Sequence, residues 1–139
     1  MGAGLIQEDE LNQQARVIIV AGCMAALAGV ANGAFGAHAL RSHLTPELLA
    51  TWQTGVAYHF YHSLGMLAVG LTSQIMGSSR MLNWAGALMF SGLLLFSGSL
   101  YLLALTGTAA FGALAPLGGV VWMAAWGLFA AAVWRGRPQ

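Results

Sequence analysis

The 139-residue sequence has no lysine, one cysteine, three prolines and only 6% charged residues. A soluble domain carries roughly a quarter charged residues, so a water-facing surface of ordinary composition is excluded. Five arginines against four acidic residues leave a net charge of +1, which gives no basic field for gripping nucleic acid. A single cysteine, Cys23, permits neither an intramolecular disulfide nor a cysteine-based zinc knuckle. What is present is apolar: 58% of residues are hydrophobic and the mean hydropathy is +0.72. The length suits one compact unit. These features together describe a small polytopic membrane protein.

The charges stand at Glu8, Asp9, Glu10, Arg16, Arg41, Glu47, Arg80, Arg135 and Arg137, and they frame three charge-free stretches. A helix needs about 20 apolar residues to cross the hydrocarbon. Val17 to Leu40 and Leu48 to Ser79 each hold one span; Met81 to Trp134 is long enough for two, with a turn at Thr106-Gly107-Thr108. Long continuous runs without strand alternation favour helices over a barrel. The expected fold is therefore all-α: four transmembrane helices near 17–36, 55–76, 82–105 and 113–134 in a compact bundle. Residues 16–135 form the membrane domain. Residues 1–15 read as a polar tail, a solvated arm or short surface helix, and 136–139 as a short C-terminal tail.

Four crossings put both termini and the 77–81 turn on one side, with Arg16, Arg80, Arg135 and Arg137; Arg41 stands alone on the other. The positive-inside rule then places both termini in the cytoplasm, in the cytoplasmic (inner) membrane of a bacterium. A competing reading makes residues 1–39 a signal peptide cleaved after Ala37-His38-Ala39, but the leader is acidic and has one Arg before its apolar run.

Small residues mark where helices approach closely in lipid. Gly29, Gly33 and Ala37 recur at four-residue intervals in the first span; Gly92 and Gly98 lie in the third, Gly118 and Gly119 in the fourth. These seams serve internal packing, a homo-oligomer or a partner membrane protein; composition does not separate them. Trp84, Trp122, Trp126 and Trp134 anchor at interfaces or fill gaps between helices. Thr45-Pro46-Glu47 has the chemistry of a helix start. A helix from Pro46 to Met76 would be about 46 Å long, so it must project, tilt or bend, with Gly55 as the place. Residues 38–52 then rest at the outer interface, with Trp52 at headgroup level.

All four histidines, His38, His43, His59 and His62, fall within 25 residues of one another. Following the helix directions, His38, Arg41, Asn32, Tyr58, His59, His62, Ser97, Ser99 and Tyr101 converge on the outer half of the bundle. Ionisable groups in a membrane face the bundle interior or a cavity. Three uses compete. The residues form a hydrogen-bonded network that fixes helix register, with Arg41 and Glu47 pairing or reaching headgroups. Alternatively His59-x-x-His62, which share a helix face, supply two ligands to a metal or haem, although no cysteine or carboxylate accompanies them. Or the histidines switch charge in a proton-responsive or transport element, for which no intramembrane carboxylate relay is present. A hydrolase built on Ser63 or Ser99 would lack both a nucleophile elbow and an orienting carboxylate.

Four segments resemble the YgdD-like family of small inner-membrane proteins: Gly33-Ala34-Phe35-Gly36-Ala37-His38-Ala39-Leu40, Tyr58-His59-Phe60-Tyr61-His62-Ser63-Leu64, Phe96-Ser97-Gly98-Ser99-Leu100-Tyr101 and Pro116-Leu117-Gly118-Gly119. This is a domain-of-unknown-function family with small transmembrane relatives in animals. The resemblance covers roughly residues 17–134. It implies four transmembrane helices and no established activity, and adds no cofactor, substrate or catalytic residue. The expected protein is non-enzymatic, serving membrane integrity or assembly through lipid or partner-helix contacts; the alternative is a binding or transport protein using its histidines for metal, haem or protons.

Overall fold

The computed structural model describes the backbone of residues 2–136 and the side chains of residues 13–136. Residues 137–139, most of the expected C-terminal tail, lie outside the described residues. The described chain is helical throughout: α1 (Gly2–His38), a 3-10 turn (Leu40–Ser42), α2 (Pro46–Met76), α3 (Arg80–Thr106), the short α4 (Ala109–Gly112) and α5 (Ala115–Arg135). Three stretches of it, Gln13–Ser42, Arg80–Thr106 and Ala109–Arg135, are long and apolar enough to cross a membrane. At 31 residues α2 is also long enough, but His59, His62, Ser63, Thr72, Ser73 and Gln74 make it less apolar.

Local signals explain the boundaries. The Thr45 hydroxyl caps α2 by accepting from the Leu48 N–H at 3.4 Å, with Pro46 in the first turn. Ser79 caps α3 in the same way, through the Leu82 N–H at 3.2 Å. Gly107, at φ 68°, closes α3 in the left-handed region, where its N–H reaches the Leu103 carbonyl at 2.8 Å. The expected turn at 106–108 is therefore the observed one. Rather than forming a separate arm, residues 2–15 belong to α1, because Leu, Gln, Glu, Ala and Arg are good helix formers and no Pro interrupts them.

Adjacent helices run antiparallel. Going up α1, Gly22 lies against Met66 and Leu67, Gly29 against Phe60, Gly33 against Val56, and Gly36 against Trp52. The buried residues of this seam repeat by sevens, Ala15, Gly22, Gly29 and Gly36, with buried Ala25 and half-buried Ile18 and Asn32 between them. That is the left-handed geometry of 3.5-residue packing. It corrects the four-residue stripe. Steps of four advance by about 40° around a helix, so Gly33 is only half-buried and Ala37 turns out to the surface.

α3 packs against both α2 and α5. A Cβ on Gly118 would lie 2.6 Å from the Phe96 nitrogen, and Gly92 sits beneath the Trp122 indole. Gly98 and Gly119, also expected at a seam, meet no neighbouring helix: nothing lies within 4 Å of a Cβ at Gly119, and only α3's own Leu93 carbonyl is near Gly98. α2 runs unbroken through Gly55, whose missing Cβ makes room for Tyr101 at 2.9 Å, so this glycine serves close packing. α2 and α3 share the main core of Met66, Val69, Leu82, Ala85 and Met89, which α5 completes with Ala125 and Ala132.

Two tryptophans fill the bundle. Trp52, expected at headgroup level, is 3% exposed. Its ring covers Gly36, contacts Tyr101, and donates Nε1–H to the Asn32 carbonyl at 2.9 Å. Trp122 repeats the arrangement over Gly92, donating to the Met89 carbonyl at 3.0 Å. In both cases a glycine lets the ring approach and the peptide one turn earlier accepts its N–H. Trp84 and Trp134 point outward, Trp134 at 90% exposure, while Trp126 is half-exposed with one edge of its ring over Gly65.

The glycine contacts predict unequal responses to the same substitution. Gly118→Ala forces a methyl against the α3 backbone and should cost about 1–3 kcal/mol. Gly119→Ala should be neutral or stabilise by up to about 1 kcal/mol through helix propensity. Thermal unfolding of the two variants in mild detergent checks the difference.

Candidate functional site

His59 is the best-defined polar residue of the bundle. It is 4% exposed and is placed by α2 between α1 and α3. Its Nε2 lies 2.8 Å from the Ala25 carbonyl, and its Nδ1 lies 3.1 Å from the Tyr101 hydroxyl. A carbonyl only accepts, so Nε2 carries the proton. Nδ1 of the neutral ring then accepts from the tyrosine O–H. Both ring nitrogens are thereby engaged, and three helices are tied through one side chain.

His62, 6% exposed, is held differently. Its Nδ1 donates to the Tyr58 carbonyl at 2.8 Å, one turn back on the same helix. Its ring stacks on Trp122 of α5, with centroids 3.4 Å apart and planes 3° from parallel. Tyr58 lies alongside, 6.0 Å from Trp122 and 4.9 Å from Phe96. The two histidines of the His-x-x-His pair thus serve different neighbours. His59 ties α1 to α3, and His62 joins an aromatic stack that bridges α2 to α5.

Other members of the expected cluster are dispersed. His38 and Arg41 are exposed at the end of the bundle and do not join His59. His43 is exposed too, donating from Nδ1 to the Ala39 carbonyl at 2.8 Å. Asn32 takes part through its backbone alone, as the acceptor for Trp52. Ser99 donates to the Phe96 carbonyl at 2.8 Å, and Ser63 to the His59 carbonyl at 2.8 Å, so neither hydroxyl approaches an imidazole as a nucleophile would. Ser97 is fully buried and its hydroxyl has no partner among the described residues. Residue type and depth grouped these side chains; helix rotation separates them. At this end Glu47 is engaged by its own backbone N–H and the Thr45 hydroxyl, which hold its carboxyl below the usual carboxylate range.

Among the described residues, no three histidines, cysteines or carboxylates gather closely enough to hold a metal ion. The arrangement supports cross-helix bonding and ring stacking. Sequence reasoning left Trp122 open between anchoring and filling gaps, and named neither its carbonyl partner nor that of Trp52. The available signal was a glycine at matching depth on the neighbouring helix.

Residues 32–119 match the model of a family described as "Protein of unknown function (DUF423)". The chain belongs to the DUF423 family. It is 43% identical over 111 residues to the UPF0382 membrane protein SSP2132 of Staphylococcus saprophyticus, an alignment covering 80% of this chain and 91% of that one. It is 42% identical over 111 residues to the UPF0382 membrane protein YwdK of Bacillus subtilis, covering 80% and 90%. The UPF0382 membrane protein SAUSA300_0565 of Staphylococcus aureus is 38% identical over the same length, covering 80% and 89%. No solved structure matches. These relatives are named as membrane proteins, in agreement with the helices long and apolar enough to cross a bilayer. The DUF423 match contains His59, His62, Tyr101 and Trp52.

The His59 tie predicts a graded response. Tyr101→Phe removes one interhelical bond and should cost about 0.6–1.7 kcal/mol. His59→Ala removes two and leaves a void, so it should cost more. A double-mutant cycle by thermal unfolding should return a coupling energy between the two positions. Imidazole nitrogen NMR should find His59 protonated on Nε2.

Proposed function

We propose that this chain is a non-enzymatic integral protein of the cytoplasmic membrane that serves membrane integrity or assembly through lipid or partner-helix contacts. It crosses four times, with both termini in the cytoplasm, and is kin to the YgdD-like proteins that its motifs resemble. Support for the fourth crossing comes from the position of α2, which packs between α1 and α3 and so keeps its histidines and serines from acyl chains. Support for the orientation comes from Arg16, Arg80 and Arg135 at one end of the bundle and Arg41 at the other.

The observation that carries the non-enzymatic reading is the double engagement of His59. With Nε2–H on the Ala25 carbonyl and Nδ1 on the Tyr101 hydroxyl, no lone pair remains for a metal or for abstracting a proton. Any such chemistry at His59 would first have to break the tie.

The test is purification in mild detergent with metal analysis and a visible spectrum. The expected preparation is colourless and metal-free, with His59→Ala and His62→Ala variants that lose only thermal stability. A stoichiometric metal, or a Soret band abolished by either substitution, would establish the alternative binding or transport role. Reporter fusions at residue 139 and in the 41–45 connection should report opposite sides of the membrane, with the C-terminus inside.

A further inference from the structure

α2 leaves one face uncovered. Tyr61, Ala68 and Ile75 recur on it at intervals of seven, with Ala57, Leu64 and Leu71 between them, and all six are exposed or half-buried. The rest of the helix is occupied: Phe60 lies against α1, Gly55 and Gly65 against α3, and His62 against Trp122 of α5. Seven-residue spacing keeps one stripe of a helix turned towards a partner along its length, and the α1 seam uses the same period.

Tyr61 is the anomaly on this face, at 59% exposure. Its depth follows from its neighbour Phe60, which touches Gly29 of α1. Gly29 stands midway between Arg16 and Arg41, about 18 Å of helix from either, so Tyr61 lies near the centre of the bilayer in the four-crossing reading. Tyrosine belongs at the membrane interface, and from this depth its side chain is too short to lift the hydroxyl there. The exposed hydroxyls of Thr54 and Ser91 return to carbonyls of their own helices, at 3.0 and 2.9 Å. A tyrosine ring holds its hydroxyl clear of the backbone. That of Tyr61 lies edge to face with Tyr58, centroids 5.6 Å apart, and its hydroxyl makes no hydrogen bond among the described residues. Acyl chains offer neither donor nor acceptor, so lipid would leave it unsatisfied where a partner helix would not.

A second copy of the chain imposes two further conditions. About a two-fold axis along the membrane normal, each group meets its own copy at its own depth. A charge would then meet like charge, and a pure donor would meet a pure donor. The face from Ala57 to Ile75 carries no charge, and the one formal charge of α2, Glu47, stands at its outer end. A hydroxyl both donates and accepts, so Tyr61 suits its own copy, with the Tyr58 hydroxyl one turn away to extend the chain of bonds. An unlike partner requires neither condition, and this face meets both.

We propose that two copies of the protein pair in parallel through this face of α2, with the Tyr61 hydroxyls bonded across the axis. As a polar group in an otherwise apolar seven-residue seam, Tyr61 sets the register of the pair. The inference rests on the partner-helix part of the proposed function and names the partner.

Single-molecule photobleaching tests it, with the full chain labelled at its C-terminus in phosphatidylethanolamine–phosphatidylglycerol vesicles over a range of protein densities. Two-step bleaching should dominate as density rises. Tyr61→Phe should weaken the pair about 3- to 20-fold, the span of one hydrogen bond between membrane helices, and should leave the thermal unfolding of the monomer in detergent unchanged. In a Cys23→Ser background, oxidation should link Leu64→Cys chains into dimers. It should not link Leu94→Cys chains, whose cysteine would stand at similar depth on the exposed side of α3. Single-step bleaching at every density, equal linking at the two positions, or a Tyr61→Phe pair as tight as the parent overturns the proposal. Any of these from a colourless, metal-free preparation removes self-pairing and leaves lipid or unlike helices as the basis of the proposed function. A stoichiometric metal removes that function whether or not the chains pair.

Discussion

Inside a bilayer no water satisfies a polar group, and the packing of this protein is organised around that constraint. Besides His62, which bonds within its own helix, three buried ring N–H groups would otherwise be stranded: those of Trp52, His59 and Trp122. Each finds a backbone carbonyl on a neighbouring helix, at Asn32, Ala25 and Met89 respectively. The first two fasten α2 to α1 and the third fastens α5 to α3. Since hydrophobic burial offers little drive for association among lipid tails, such directional bonds and close glycine contacts must set which helix faces meet. The seam of α1 shows both devices at once, with Gly36 under Trp52 and Ala25 within reach of His59.

This explains why the helix that carries the buried histidines is an enclosed one. α2 carries both buried histidines and several hydroxyls, and it has α1 on one side, α3 on another, and the rings of Trp122 and Trp126 against His62. α1 and α5 in contrast present Val20, Met24, Leu27, Val120 and Met123 outward, the composition of a lipid-facing surface.

Much of this was legible from residues. Charge spacing located the helices, Thr45-Pro46 and Gly107 marked two boundaries, and inference of depth brought His59 and Tyr101 to one level. What could not be read was rotation about each helix axis. Ala37 and Gly98 have the right composition and depth for a seam, but the seven-residue repeat of α1 and the approaches at Gly86 and Gly92 on α3 turn them elsewhere. The same ambiguity grouped His38 and Arg41 with His59, although the chain has by then passed beyond the end of α1's packed face. Tryptophan beside a membrane end suggests anchoring, and only the space over Gly36 shows that the Trp52 ring packs between helices.

The cross-helix acceptors belong to the peptide and not to a side chain. Ala25, Asn32 and Met89 could each be replaced by another residue that preserves the local shape, and the carbonyl would stay in place. Evolution can therefore vary one half of each fastening freely while holding the other fixed. Methods that infer proximity from correlated substitutions would then be blind to the contacts that join these helices most firmly, and would see isolated invariant rings instead of pairs.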